Sequence, residues 1–93
     1  MTGTIIRHKE TGKYYYIHTT TSISSVINND IINSDLYHCF VLIFEGKLCY
    51  INIGIRILKS VFFHAEYDIV MYPGSIDNFA LCCIYGRFSC VIS

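Results

Sequence analysis

A short phrase recurs three times along the 93-residue chain, each copy being a glycine, a basic residue and a run that ends in a β-branched residue. The copies span residues 12–17, 46–51 and 86–91. Runs of β-branched and aromatic residues flank each glycine. A glycine between two such runs is typical of a tight hairpin turn, because glycine tolerates the positive φ that the turn needs. The sequence therefore predicts three antiparallel β-hairpins.

The three predicted turns each pair a glycine with the basic residue that opens the next strand. The predicted strand pairs are 4–9 with 13–19, 37–44 with 47–53, and 79–84 with 87–92. The turn positions that define the repeat are Gly12, Lys13, Gly46, Lys47, Gly86 and Arg87. Because their spacing of 34 and 40 residues is nearly regular, we expect one unit with repeat-like segments 1–34, 35–74 and 75–93.

The segments between the hairpins are open to two interpretations. Residues 22–33 have apolar residues at roughly helical spacing, yet Asn28, Asn29 and Asp30 are poor helix formers and good turn residues. Residues 55–64 also have helical spacing, but can equally be a strand at 60–65 followed by another at 68–72. The fold class is thus mostly β or, alternatively, a compact α+β unit with two short helices. A loop is predicted around Pro73.

Composition excludes several classes of partner. Seven basic and seven acidic residues cancel, whereas binding to nucleic acid by phosphate neutralisation needs a basic surplus. The longest apolar stretch, residues 39–44, is far too short to span a bilayer. Neither nucleic acid nor a membrane is therefore expected as a partner. Five cysteines without a recognisable secretory signal favour a reducing, intracellular compartment.

No catalytic, metal or cofactor signature stands out. The cysteines form no Cys-x-x-Cys pair and lie in apolar runs, where a free thiol behaves as a small hydrophobe. The Gly-Lys phrases lack the remaining residues of a phosphate-binding loop, and they open strands rather than helices. Tyr14 and Tyr16 should lie on one face of a strand and Tyr15 on the other, as core residues. We expect no enzyme activity, no metal and no cofactor.

The chain resembles a kelch repeat over nearly its whole length. Gly46-Lys47 leads into a Tyr-containing strand, Ser60-Val61 lies in the next run, and residues 68–73 end at a proline before the next glycine turn. The Ile-, Asn- and Tyr-rich style is similar to the kelch repeats of poxvirus BTB–kelch proteins. The usual glycine pairs and the blade tryptophan are missing, which predicts a truncated or degenerate form.

The resemblance implies about two degenerate blades of an incomplete β-propeller. It implies a non-enzymatic protein–protein interaction module, derived from a viral ubiquitin-ligase adaptor and located in the host cytoplasm. Since two blades cannot close a ring, their exposed faces would favour self-association or a protein partner of unknown identity. The alternative is an independent small α+β viral protein that binds and inhibits a host factor.

Overall fold

A computed structural model describes residues 2–43, 47–55 and 60–86, which form an open, mostly β structure. The elements in chain order are β1 (Thr4–His8), β2 (Tyr14–Ile27), β3 (Asp30–Ile43), β4 (Lys47–Ile55), α1 (Ser60–Glu66), β5 (Tyr67–Met71) and α2 (Ile76–Tyr85). The strands form one sheet in the order β4-β3-β2-β1-β5, and all neighbours are antiparallel. The predicted mostly β class is confirmed.

The first two predicted hairpins are confirmed. β1 and β2 pair from Thr4 opposite Ile17 onward, and Gly12 between them has a φ of +73°. β3 and β4 pair up to Ile43 opposite Lys47, while the intervening residues 44–46 lie outside the described residues. Segments 1–34 and 35–74 thus both contribute strands to the same sheet.

A further hairpin joins β2 to β3. Its turn residues Asn28 and Asn29 have φ values of 52° and 68°, as a two-residue type I′ turn requires. The helical interpretation of residues 22–33 is therefore wrong. Asparagine tolerates positive φ, so the turn chemistry of this pair outweighs the apolar spacing on either side.

The predicted strand at 79–84 is wrong, because these residues lie in α2. The hydroxyl of Ser75 accepts a hydrogen bond from the Asn78 N–H at 3.1 Å and caps the first turn. Gly86 ends the helix with a φ of 61° and donates its N–H to the Cys82 carbonyl. The positive φ at Gly86 agrees with the prediction, but the residue ends a helix instead of turning a hairpin. The partner strand at 87–92 lies outside the described residues.

The segment after β4 contains a helix and then a strand. Residues 60–66 form α1, so the strand alternative for 60–65 is wrong, whereas the strand predicted at 68–72 is confirmed as β5. Residues 72–75, which include a cis Tyr72–Pro73 peptide, form the predicted loop before α2. No helix of the described residues is long and apolar enough to cross a membrane.

The core has one layer on each face of the sheet. Phe63 of α1 packs with residues that include Ile6 and Cys39. Phe79 and Cys82 of α2 pack on the opposite face, and this second layer includes Ile5. The three consecutive tyrosines divide as predicted: Tyr15 joins the first layer, and Tyr14 and Tyr16 join the second.

Candidate functional site

The structure brings the glycines of two copies of the repeated phrase to one groove. Gly12, Lys13 and Gly86 line a groove of about 660 Å³ between the β1–β2 turn, the end of β3 and the C-terminal end of α2. Lys13 is the charged residue among the described lining residues. A phosphate site needs several converging donors, and the described lining residues offer Lys13 as their one cationic side chain. Lys47 is exposed at the start of β4, and Gly46 and Arg87 lie outside the described residues.

The thiols of the described residues are free, and two of them belong to the core. Cys39 and Cys82 are fully buried, as predicted for packed thiols, while Cys90 lies outside the described residues. Burial raises the pKa of Cys39 to about 12 and that of Cys83 to about 11. A thiol with so high a pKa is a poor nucleophile and metal ligand. Within the described ranges, no group of three or more His, Cys, Asp or Glu residues could hold a metal ion.

The most distinctive surface is a group of rings on the sheet face that carries α2. We call it the aromatic–histidine patch, and it consists of His18, His38, Phe40, Tyr50 and Asn52. The β3–β4 register places Phe40 opposite Tyr50 and His38 opposite Asn52. A shift in the β2–β3 register between Ile17 and Thr19 leaves His18 as an extra residue at the edge of the same group.

Tyr50 lies at the centre of the patch. Its ring centroid is 5.2 Å from that of Phe40 and 5.9 Å from that of His18, both in edge-to-face geometry. The ring of His38 stacks on it at 6.0 Å with an interplanar angle of 17°. Offset stacked and edge-to-face pairs at these distances are mutually stabilising. Tyr50 nevertheless remains 48% exposed, so the patch presents an ordered aromatic surface to solvent.

Two hydrogen bonds hold the imidazole of His38. Its Nδ1 lies 2.6 Å from Oδ1 of Asn52, and its Nε2 lies 3.3 Å from the hydroxyl oxygen of Thr21. An amide oxygen can only accept, so Nδ1 carries a proton, and in the neutral ring Nε2 accepts from Thr21. The ring is therefore held from both sides, by β2 and by β4.

The patch is anchored in the second core layer. Tyr16 lies 6.5 Å from Phe40 and 6.1 Å from Phe79 of α2, measured between ring centroids. These rings connect the exposed side chains to residues that have no solvent exposure, such as Phe79. Side chains that ring contacts and hydrogen bonds already hold in place lose little conformational entropy on binding. Such an arrangement is suited to recognition of another surface.

Sequence reasoning missed this patch, although part of its signal was present. His38 and Phe40 alternate along β3, and Tyr50 and Asn52 alternate along β4, so each pair shares one face. Counting outward from the predicted two-residue Glu45-Gly46 turn pairs Phe40 with Ile51, whereas the structure pairs Phe40 with Tyr50. A slip of one residue moves a side chain to the other face of the sheet, so the predicted turn alone does not bring the two pairs together. The register shift that adds His18 has no comparable signal, because it arises from strand pairing.

Comparisons of the chain with protein-family models, with curated proteins and with solved structures find no match.

Proposed function

We propose that this chain is a non-enzymatic protein–protein interaction module that binds its partner through the aromatic–histidine patch. The observation that carries the proposal is the half-exposed Tyr50, held by three neighbouring rings. Tyrosine is enriched at protein interfaces and among the residues that dominate binding energy, since it provides a large, stiff contact area and a polar tip.

The chemistry of the patch defines the kind of surface that it would bind. Its members are aromatic rings, imidazoles and an amide, with no carboxylate and no Lys or Arg. Such a set fits a partner surface with an apolar or aromatic centre and hydrogen-bonding groups at its rim, rather than a highly charged one. His18 and Asn52 are exposed at the periphery and can supply the rim contacts.

Substitution of Tyr50 provides the direct test. We would immobilise the full chain, capture proteins from cells of the source host, and quantify each captured protein for the wild type and for Tyr50→Ser. The matched control is Tyr85→Ser, which removes an exposed tyrosine from α2 that lies outside the patch. A partner that binds through the patch should be lost at least tenfold with Tyr50→Ser and retained with Tyr85→Ser.

Purified components then give the decisive measurement. The affinity of the identified partner should fall with Tyr50→Ser while circular dichroism and the thermal midpoint stay close to those of the wild type. Equal affinity of wild type and Tyr50→Ser for every captured protein would contradict the proposal. Turnover of a small molecule that depends on side chains outside the patch would also contradict it.

We further propose that the chain derives from a kelch-repeat protein and acts inside the host cell. Free thiols at Cys39, Cys49, Cys82 and Cys83 are what a reducing compartment would favour. The ancestry has a separate test in the encoding genome. Kelch or BTB coding sequence in frame beside this reading frame would support descent from a ligase adaptor, and its absence would favour the independent small inhibitor of a host factor.

A further inference from the structure

The β2–β3 hairpin extends beyond the rest of the sheet. β1 pairs with β2 only between Tyr14 and Ile17, and β4 pairs with β3 only from Asp35 onward. Residues 22–34 therefore form a two-stranded ribbon, which we call the arm. Among the residues that the structure describes, no strand pairs with the outer edge of β2 from Thr19 to Ile27. An isolated two-stranded ribbon is marginally stable in water, and a third or fourth strand stabilises it.

Beyond the register shift at His18, the open edge of β2 lacks the features that normally prevent edge-to-edge pairing. Residues 18–27 contain no charged residue, no proline and no glycine, and most of them are β-branched or hydroxyl-bearing. Natural edge strands usually carry a lysine, a proline or a bulge that blocks a further strand. The outermost strands of this sheet do carry charges, at Lys47 of β4 and Asp68 of β5. The arm alone presents a long neutral edge within the described sheet.

The turn geometry identifies the backbone groups on this edge. In a two-residue hairpin the residues that flank the turn, here Ile27 and Asp30, exchange hydrogen bonds with each other. Bonded and non-bonded pairs then alternate along the ribbon. The N–H groups of Ser22, Ser24 and Val26 consequently point away from β3, toward the open edge.

An apolar side chain lies at the middle of this edge. Ile23 lies between two serines and is 41% exposed. Its partner across the ribbon is Ser34, so it has no apolar neighbour directly opposite. Antiparallel pairing about a two-fold axis at this position would bring the Ile23 side chains of two chains together, about 5 Å apart at Cβ.

We propose that two copies of this chain associate through their arms, with the β2 edges paired antiparallel about a two-fold axis at Ile23. In this register Ser22 faces Ser24 of the second copy, and both residues direct their N–H and C=O groups across the interface. The two ribbons then form one continuous four-stranded sheet. Because the symmetric contact uses the same edge on both chains, it closes at a dimer.

A second copy fits this edge better than a different protein does. Near its two-fold axis, a self-paired strand places identical residues beside one another, so a charge there would lie close to a like charge. The β2 edge has none from His18 to Ile27 when the histidine is neutral. Self-pairing places isoleucine against isoleucine at the axis, and on either side of it matches Ser22 with Ser24 and Thr21 with Ser25.

Two substitutions at Ser24 separate the backbone from the side chain. Ser24 donates a side-chain hydrogen bond to Oδ1 of Asn33 at 2.9 Å, and both Ser24→Pro and Ser24→Ala remove it. Ser24→Pro also removes the backbone N–H that points toward the open edge, whereas Ser24→Ala retains it. Sedimentation equilibrium of the full chain should therefore give twice the chain mass for wild type and Ser24→Ala, and the monomer mass for Ser24→Pro. A monomeric wild type, or a Ser24→Pro variant that is folded and dimeric, would overturn the proposal.

A second pair of variants covers the case in which Ser24→Pro does not fold. Ile23→Lys places two like charges at the axis, and Ile84→Lys makes the same change on exposed α2. Ile23→Lys should be monomeric and Ile84→Lys dimeric, whereas equal masses for the two would refute the pairing. Tyr50→Ser should stay dimeric, so loss of partner binding and loss of self-association are distinguishable.

Amide hydrogen exchange tests the register. As the protein concentration rises, protection should increase at alternate residues, at Ser22, Ser24 and Val26. Protection at Ile23 and Ser25, whose N–H groups face β3, should change little. A concentration-dependent increase at Ile23 and Ser25 instead would contradict the proposed pairing.

Discussion

Nδ1 of His38 donates a hydrogen bond to Oδ1 of Asn52 at 2.6 Å, which joins strand β3 to strand β4 within the exposed patch. The bond holds the imidazole parallel to the Tyr50 ring. A neutral histidine bonded in this way carries its proton on Nδ1. The tautomer of His38 is thus a direct readout of the order of the patch.

Asn52→Ala should release this ring. The variant removes the acceptor for Nδ1, so we expect the His38 tautomer to shift toward the Nε2–H form, as measured by ¹⁵N chemical shifts of the imidazole. Because the bond is exposed, the loss of stability should be small, about 0.5–1 kcal/mol. Asn33→Ala, which removes an amide from the arm, should leave the His38 tautomer unchanged. A fixed tautomer in both variants would mean that Asn52 does not orient the ring.

Gly74→Ala should destabilise the fold through a steric clash. A Cβ at this position would lie 2.8 Å from Cγ1 of Ile5, a side chain with no solvent exposure. Since the buried isoleucine has little room to move, we expect a loss of about 1–3 kcal/mol in the free energy of unfolding. Gly54→Ala is the control, because its Cβ would make only an ordinary contact with Leu36 at 3.8 Å. Urea titration measures both, and equal midpoints would disprove the clash.

Ser75→Ala should weaken the start of α2. The substitution leaves the Asn78 N–H without its capping oxygen, which typically costs about 0.5–2 kcal/mol. Ser75→Asp retains an acceptor at the same position and places a negative charge at the helix N-terminus, so it should be close to the wild type. Thermal unfolding followed by circular dichroism would rank the three proteins. The capping role is wrong if alanine and aspartate have the same effect.

The protein should lose stability at alkaline pH. Burial raises the pKa of the Cys39 thiol from 9.0 to about 12, and that of the Tyr67 phenol from 10.0 to about 12. Above pH 9.0 the unfolded chain starts to release protons that the folded chain retains. This contribution to stability is therefore complete below that pH and is lost progressively as the pH rises toward about 12.

Tyr67→Phe tests the tyrosine part of this dependence. Without the phenol, the urea midpoint should fall less steeply between about pH 10 and 12, the window set by the two pKa values of Tyr67. Tyr85→Phe changes an exposed ring and should retain the slope of the wild type. Parallel curves for all three proteins would show that the burial of Tyr67 has no influence on the alkaline transition.

Two glycines of the repeated phrase have different structural roles. Gly12 and Gly86 both have the positive φ that their context predicts. Gly12 turns between two strands, where the runs on both sides are rich in β-branched and aromatic residues. Gly86 ends a helix, and its preceding residues Phe79 to Tyr85 are equally apolar. The hydroxyl of Ser75 caps this helix by accepting a hydrogen bond from the Asn78 N–H. Strand propensity is assigned residue by residue and takes no account of such a cap.

The sequence by itself determined the local features: a mostly β chain, the turn at Gly12, the β3–β4 hairpin and the division of three tyrosines between two faces. These depend on side-chain alternation and on backbone conformations within a few residues, which the order of amino acids sets directly. Only the tertiary structure decided that β5 pairs with β1, that α2 covers one face, and that His18 joins the rings of β3 and β4. Contacts between distant segments depend on register and on competing ways to bury the same apolar surface, and no local pattern encodes that choice.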